Sequence, residues 1–198
     1  TKIFRDNEGI LWVGTPNGLN KYDAETGNFT RYLYDPNDAT SLSNNYVNDI
    51  IEDRDFNLWV GVEGGGLNLL DRATGKFTHY RENDKDNSSI GDDHVFVILQ
   101  GENNDLWIGS GANGGVSKMD GKSRKFKHYL TGIIINDLYK DKSGIIWAGT
   151  RKGFYRYNKT LDDFYPFGDE SIGTGINSVV MSIIADNEDN LWISTLTG

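Results

Sequence analysis

A chain of 198 residues, 37% of them hydrophobic, is long enough to bury a sizeable core, and it holds no apolar run approaching the ~20 residues of a membrane-spanning helix. Its formal charge of −9 argues against the basic stripe that grips nucleic-acid phosphates, and weighs against an anionic membrane surface or a sulfated ligand. With no cysteine it can build no disulfide, no thiolate metal site and no cysteine nucleophile.

Thr1-Lys2-Ile3-Phe4 reads as the middle of a short strand, followed by Leu11-Trp12-Val13-Gly14-Thr15. That second string recurs as Leu58-Trp59-Val60-Gly61, Leu106-Trp107-Ile108-Gly109-Ser110, Ile146-Trp147-Ala148-Gly149-Thr150 and Leu191-Trp192-Ile193-Ser194-Thr195. The tryptophans are 47, 48, 40 and 45 residues apart, a period that marks repeat architectures and propellers in particular. The second unit serves as template. Tyr46–Ile51 is a β-branched run, Asp53–Asn57 a polar turn, and Leu58–Val62 a strand ended by Glu63-Gly64-Gly65-Gly66. Leu67–Leu70 and Lys76–Tyr80 follow, separated by Asp71-Arg72-Ala73-Thr74-Gly75. Four short antiparallel strands with Gly and Asp turns fit one propeller blade, and a helix fails because the apolar period is two.

The predicted architecture is therefore all-β, a partial propeller of four nearly complete four-stranded blades and half of a fifth. Its units are 1–45, 46–93, 94–132, 133–177 and 178–198 within one repeat domain, expected to be a fragment of a longer propeller. The outer-strand ring pairs Phe29 with Tyr32, Phe77 with Tyr80, Phe126 with Tyr129 and Phe164 with Phe167 are three residues apart. Each pair thus faces both sides of its strand, which suits sheets covered on both faces. Trp and the glycine two residues on share a face, so the glycine leaves room for the indole or for a closely approaching neighbour. All five tryptophans read as core. The turn before each of them carries Gly9, Phe56, Asn104, Gly144 or Asp189 at one position; four suit a left-handed conformation, while Phe56 predicts a different turn or strain. Asp53-x-Asp55-x-Asn57 lacks the glutamate of a calcium loop and reads as turn chemistry.

The strings Ile50–Gly61, Gly65–Asn68 and Asp71–Tyr80, with the linker residues Asp35–Asp38 and Ser41–Asn45, resemble the two-component regulator propeller repeat. That resemblance implies the periplasmic sensor region of a hybrid two-component histidine kinase, anchored in the inner membrane through its parent. It further implies an oligosaccharide ligand released from complex glycans. The linker Leu130-Thr131-Gly132 is about ten residues shorter than its counterparts, and Ser194 replaces a glycine. The shared motif itself carries no ligand-contacting residue.

A search for chemistry yields no catalytic constellation, no metal site and no cofactor motif. His79 and His128 share an outer-strand position and read as surface residues, which leaves His94 as the histidine nearest a plausible site. The basic run Lys118, Lys122, Arg124, Lys125 and Lys127 reads as a solvated hairpin face. Loops entering the first strand and joining the second to the third share one end of a blade. These are Ser41–Tyr46, Ser88–His94, Ser171–Ser178, Pro16-Asn17, Glu63–Gly65, Ala112-Asn113 and Arg151-Lys152. They vary over a constant frame, as binding loops do. The candidate ligand residues are Asn44, Asn45, Tyr46, Asp93, His94, Asn113 and Arg151, which offer groups suited to sugars. The alternatives are a propeller lyase or glycoside hydrolase, and a non-catalytic protein-interaction scaffold; self-association is expected through open propeller edges or through dimerisation of the parent.

Overall fold

The computed structural model describes residues 2–111, 113–168 and 176–197. The expected reading of Thr1, Ala112, Ser171–Gly175 and Gly198 therefore lies outside the described residues. The first sheet comprises β1 (Lys2–Arg5), β2 (Leu11–Thr15), β3 (Gly18–Tyr22) and β4 (Phe29–Tyr32). The second holds β5 (Val47–Glu52), β6 (Leu58–Val62), β7 (Gly66–Asp71) and β8 (Lys76–Tyr80). The third holds β9 (Val95–Gln100), β10 (Leu106–Ser110), β11 (Val116–Met119) and β12 (Phe126–Tyr129). The fourth holds β13 (Ile135–Lys140), β14 (Ile146–Thr150), β15 (Gly153–Asn158) and β16 (Asp163–Pro166), and β17 (Val180–Ala185) pairs with β18 (Leu191–Thr195). Each four-stranded sheet is a meander in chain order, antiparallel throughout. The all-β, partial-propeller reading holds, and the strands of the template unit fall within a residue of their predicted bounds.

The core lies in the seams between sheets. Trp12 of the first sheet packs with Val47, Ile50, Leu58 and Phe77 of the second. Trp59 packs in the same way with Val95, Ile98, Leu106 and Phe126, and Trp107 with Ile135, Leu138, Ile146 and Phe164. Trp12, Trp59, Trp107 and Trp147 thus face the next sheet, and the aliphatics flanking Trp59, Trp107, Trp147 and Trp192 face the previous one. The five positions of β6, β10 and β14 are consequently all buried, whereas β2 and β18 alternate. Trp192, on a sheet with no described neighbour beyond it, is 62% exposed, which corrects its assignment to the core. The outer aromatics obey the same geometry: Phe77 turns to the first seam and Tyr80 to the second.

The glycine after each indole sets how close two sheets come. A Cβ added to Gly61 would stand 2.5 Å from Val95 Cγ1, and one added to Gly14 would meet Val47 Cγ1 at the same distance. The neighbouring inner strand therefore rests directly on backbone, as predicted for a close approach. Below each indole, Trp12, Trp59 and Trp147 donate their Nε1–H to Asp6, Asp53 and Asp141, each at 2.8 Å. Trp192 donates likewise to Asp186 at 3.0 Å. Asp53 also accepts the backbone N–H groups of Asp55 and Asn57, so its oxygens are filled by turn and indole donors. Inner strands are further stitched by an Asn-Asp pair. Asn48 donates to Val95 O at 2.9 Å while Asp49 accepts Ile98 N–H at 2.7 Å, and Asn136 and Asp137 do the same to Val180 and Ile183.

Two expectations are revised. His79 and His128 are half-buried rather than surface residues: His79 Nε2 lies 2.8 Å from Ser41 O and His128 Nδ1 lies 3.1 Å from Ser117 Oγ. They tie the outer strands to the linkers and to β11. Phe56 keeps the same turn as its counterparts, with φ of 64° beside 81° at Gly9 and 62° at Asn104, so the strain option is the one realised.

Replacing Phe56 by Gly should relieve that left-handed strain of about 1–2 kcal/mol, less the entropy that glycine costs. The expected gain, about 0.5–1 kcal/mol, is read from the urea midpoint. Gly61→Ala should instead destabilise the fold by about 1–3 kcal/mol, because Val95 has no direction in which to retreat without moving β9. An alanine variant with an unchanged midpoint would show that the seam is loosely packed.

Candidate functional site

Antiparallel order places the linkers and the β2–β3-type connections at one end of the sheets. The turns preceding each tryptophan lie at the other end. At the linker end the chain is pinned from within. Ser43 N–H donates to Asn68 Oδ1 at 3.1 Å, and Ser43 Oγ donates to Gly65 O at 2.7 Å. Asn45 Oδ1 accepts Tyr34 N–H at 2.8 Å, and the equivalent Asp93 Oδ1 accepts Glu82 N–H at 2.7 Å. These two predicted ligand residues turn their oxygens toward their own loops and act as fasteners.

The others separate into a cluster and two outliers. Asp92, buried, accepts His94 N–H at 2.8 Å through Oδ1, which also lies 2.8 Å from His94 Nδ1; its Oδ2 accepts Asn113 N–H at 3.2 Å. His94 Nε2 lies 3.9 Å from Glu63 Oε1, and Asn48 donates to the other oxygen of Glu63 at 3.0 Å. Gly64 sits between Asn44 and His94: a Cβ there would lie 3.9 Å from Asn44 Nδ2 and from His94 Nε2. Asn44, Glu63, Asp92, His94 and Asn113 thus form one polar patch across the second and third sheets. Tyr46 is 45% exposed near that patch, on the strand-entry side of the second sheet. Arg151 is exposed on the fourth sheet, tied by its backbone N–H to Ile134 O at 3.1 Å.

Sequence reasoning missed Asp92 and Glu63. The Asp-x-His spacing was a signal for Asp92, since an aspartate two residues ahead readily accepts the N–H of an Asx turn. The hydrogen bond that His94 donates to Asp92, opposed by partial burial and aided by the charges of Asp92, Glu63 and Asp93, raises the His94 pKa above its ordinary value. Burial and the nearby charges of Asp92, Asp84 and Asp93 raise Glu82 as well. An Asp–His pair resembles part of a hydrolytic triad, but His94 Nε2 faces a carboxylate and no hydroxyl nucleophile contacts it among the described residues. The patch offers hydrogen-bond donors and acceptors, and its carboxylates outnumber its single imidazole.

Two cavities, of about 550 and 630 Å³, lie at the opposite end of the sheets. Gly101, Trp107 and Lys140 line the first; Arg5, Ile10 and Tyr22 line the second. None of the seven predicted ligand residues touches either.

Serial four-stranded meanders packed face to face, with one indole per seam, define a β-propeller assembly. The two-component regulator propeller repeat matches this chain at residues 41–64, 129–152 and 174–197. Among solved structures, one named as the extracellular domain of a hybrid two component system, BT3049 of B. thetaiotaomicron, superposes with a TM-score of 0.78 at 30% identity, over 98% of this chain and 25% of its own. The corresponding BT4673 domain from the same organism gives 0.74 at 25% identity, over 94% of this chain and 25% of its own. A curated relative, histidine kinase P4 of Formosa agariphila, is 41% identical over 66 residues, 32% of this chain and 5% of that kinase. The chain thus spans about a quarter of the solved relatives' length, and far less of the kinase.

The His94 midpoint, followed by NMR, is expected above the ordinary histidine value, and Asp92→Asn should lower it. Since protonation strengthens the native pair, its stabilisation is complete below about pH 6.5 and fades as pH rises through the raised midpoint. An unchanged midpoint in the asparagine variant would rule out the Asp92 contact as its cause.

Proposed function

We propose that this segment is the ligand-sensing part of the periplasmic region of a hybrid two-component regulator, and that it recognises glycan-derived oligosaccharides. In this reading the 198 residues form one stretch of a longer propeller. The parent carries the membrane anchor and the kinase chemistry. The observation that carries the proposal is the contrast between the two parts of each sheet. The frame repeats from seam to seam, while the linker end differs and presents the Asn44–Glu63–His94–Asn113 patch with no nucleophile against its histidine among the described residues. Amide, carboxylate and imidazole groups on an open, rigid surface suit the hydroxyls of a sugar chain. The relatives named as extracellular domains of two-component systems support the sensory role, and their names specify no ligand. The apolar surface at Trp192 and Ile184, both 62% exposed, suits burial against a further blade or a second protomer.

Thermal unfolding in the presence of an oligosaccharide panel tests the reading. A bound sugar at a hundredfold excess over Kd should raise Tm by about 5–10 °C, and His94→Ala should remove most of that rise. No new reducing ends should form. Sugar cleavage that disappears with His94→Ala would replace the sensor by an enzyme, and a Tm indifferent to every sugar tested would sink the carbohydrate assignment.

A further inference from the structure

The seam between the third and fourth sheets departs from the others at three points, all visible in the chain. Where Asp6, Asp53 and Asp141 stand six residues before their tryptophans, the third sheet has Gly101. Where Asn48-Asp49 and Asn136-Asp137 stitch inner strands together, it has Phe96-Val97, whose side chains cannot do so. The position of Glu52 in the second sheet is held by Lys140 in the fourth.

The charges follow from these exchanges. In the first seam Arg72 bridges Asp6 at 2.6 Å and Glu52, and Lys21 lies over the Trp12 ring, so two cations face two carboxylates. The third seam gathers Lys118, Lys127, Lys140 and Lys159 against three carboxylates among the described residues, Asp105, Glu102 and Asp162, the last of which pairs with Lys127. Lys118 pairs with Asp105 at 3.0 Å and Lys159 with Glu102 at 2.6 Å. Lys140 is left to donate to the Gln100 carbonyl at 2.9 Å, with no carboxylate partner among the described residues. The seam is one carboxylate short. Trp107 Nε1–H, the counterpart of the aspartate-bound indoles, has no hydrogen-bond partner among the described residues and lies 2.7 Å from where a Gly101 Cβ would stand. Trp107, Gly101, Lys118, Lys140 and Lys159 all line the cavity of about 550 Å³, with Tyr157 as an aromatic wall. That volume is sufficient for a ring-sized molecule.

We infer that this seam binds a small ligand through a carboxylate, which accepts the Trp107 Nε1–H as Asp6, Asp53 and Asp141 do for their indoles and balances Lys140. The ligand's ring lies against the aromatic wall of the cavity. Such a molecule ties the third sheet to the fourth where the chain supplies no Asn-Asp stitch. The site stands apart from the oligosaccharide patch, at the other end of the sheets, and does not depend on the sensory reading. Acidic sugars and simple aromatic acids share the required chemistry.

Indole ¹H–¹⁵N spectra of the chain, with Trp107→Phe to assign the fifth resonance, test the site. Sodium glucuronate is expected to move the Trp107 indole proton downfield, toward the aspartate-bound indoles, while glucose at the same concentration leaves it in place. Benzoate separates the sources: a shift with both acids means that any ring-bearing carboxylate is accepted, and a shift with glucuronate alone means an acidic sugar. Lys140→Gln should weaken the titration at least tenfold, and added salt should weaken it too. Gly101→Asp should move the resonance downfield without any ligand and end the titration. The inference fails if neither acid moves the resonance at tens of millimolar, if glucose moves it equally, or if Lys140→Gln titrates like the parent chain.

Discussion

An indole buried between two sheets governs how this chain is built. Each sheet is apolar on both faces, so it is stable only when a neighbour covers it, and the buried tryptophan is the largest part of what is covered. Packing two twisted sheets around so large a side chain leaves a gap unless the strand beside it recedes. The glycine two residues on supplies that recess, letting Val47, Val95 and Val180 rest on backbone beside the indoles. The indole N–H then becomes a buried polar group, and such a group needs an acceptor. The aspartate of the preceding turn provides it while closing the turn with its own backbone hydrogen bonds. The aspartate thus meets two demands at once, and the repetition of tryptophan, glycine and aspartate every forty-odd residues makes the sheets nearly interchangeable.

Because the frame is so constrained, its exceptions carry information. Phe56 holds a left-handed turn that glycine, asparagine or aspartate occupies elsewhere, which shows that the turn geometry is imposed by the sheet rather than chosen by the residue. The third sheet relaxes more of the pattern than any other described: glycine for the aspartate, Phe96-Val97 for the Asn-Asp stitch, and a short linker after Tyr129. These changes meet in one seam although they are scattered along the sequence. Their convergence there is a property of the fold.

The two ends of the sheets differ in kind. At the linker end the side chains are largely committed to holding loops: Asn45, Asp93 and Ser43 all spend their hydrogen bonds locally. What is left exposed is a shallow patch around His94, whose imidazole is held toward its charged form by Asp92. At the turn end, one cavity opens between the third and fourth sheets and another lies along the first. An open polar patch suits an extended ligand that is held by many weak hydrogen bonds, whereas a lined cavity suits a compact one.

The strands, their order and the burial of four tryptophans were legible in the sequence, because apolar period two, glycine turns and a fixed repeat are local signals that each unit restates. The acceptor for the indoles was equally written there, as an aspartate six residues upstream in four units of five. It was read only as turn chemistry, since nothing local says that one carboxylate reaches both its turn and a ring. Of the candidate ligand residues, position on the linker end could be read from connectivity, but not which side chains face outward; Asn45 and Asp93 turn inward because the backbone N–H groups of Tyr34 and Glu82 lie within reach. The sequence by itself determined the repeat and the element that each unit forms. Only the tertiary structure decided which residues of different units meet across a seam, because those contacts join positions roughly forty to fifty residues apart and depend on how closely one sheet settles against the next.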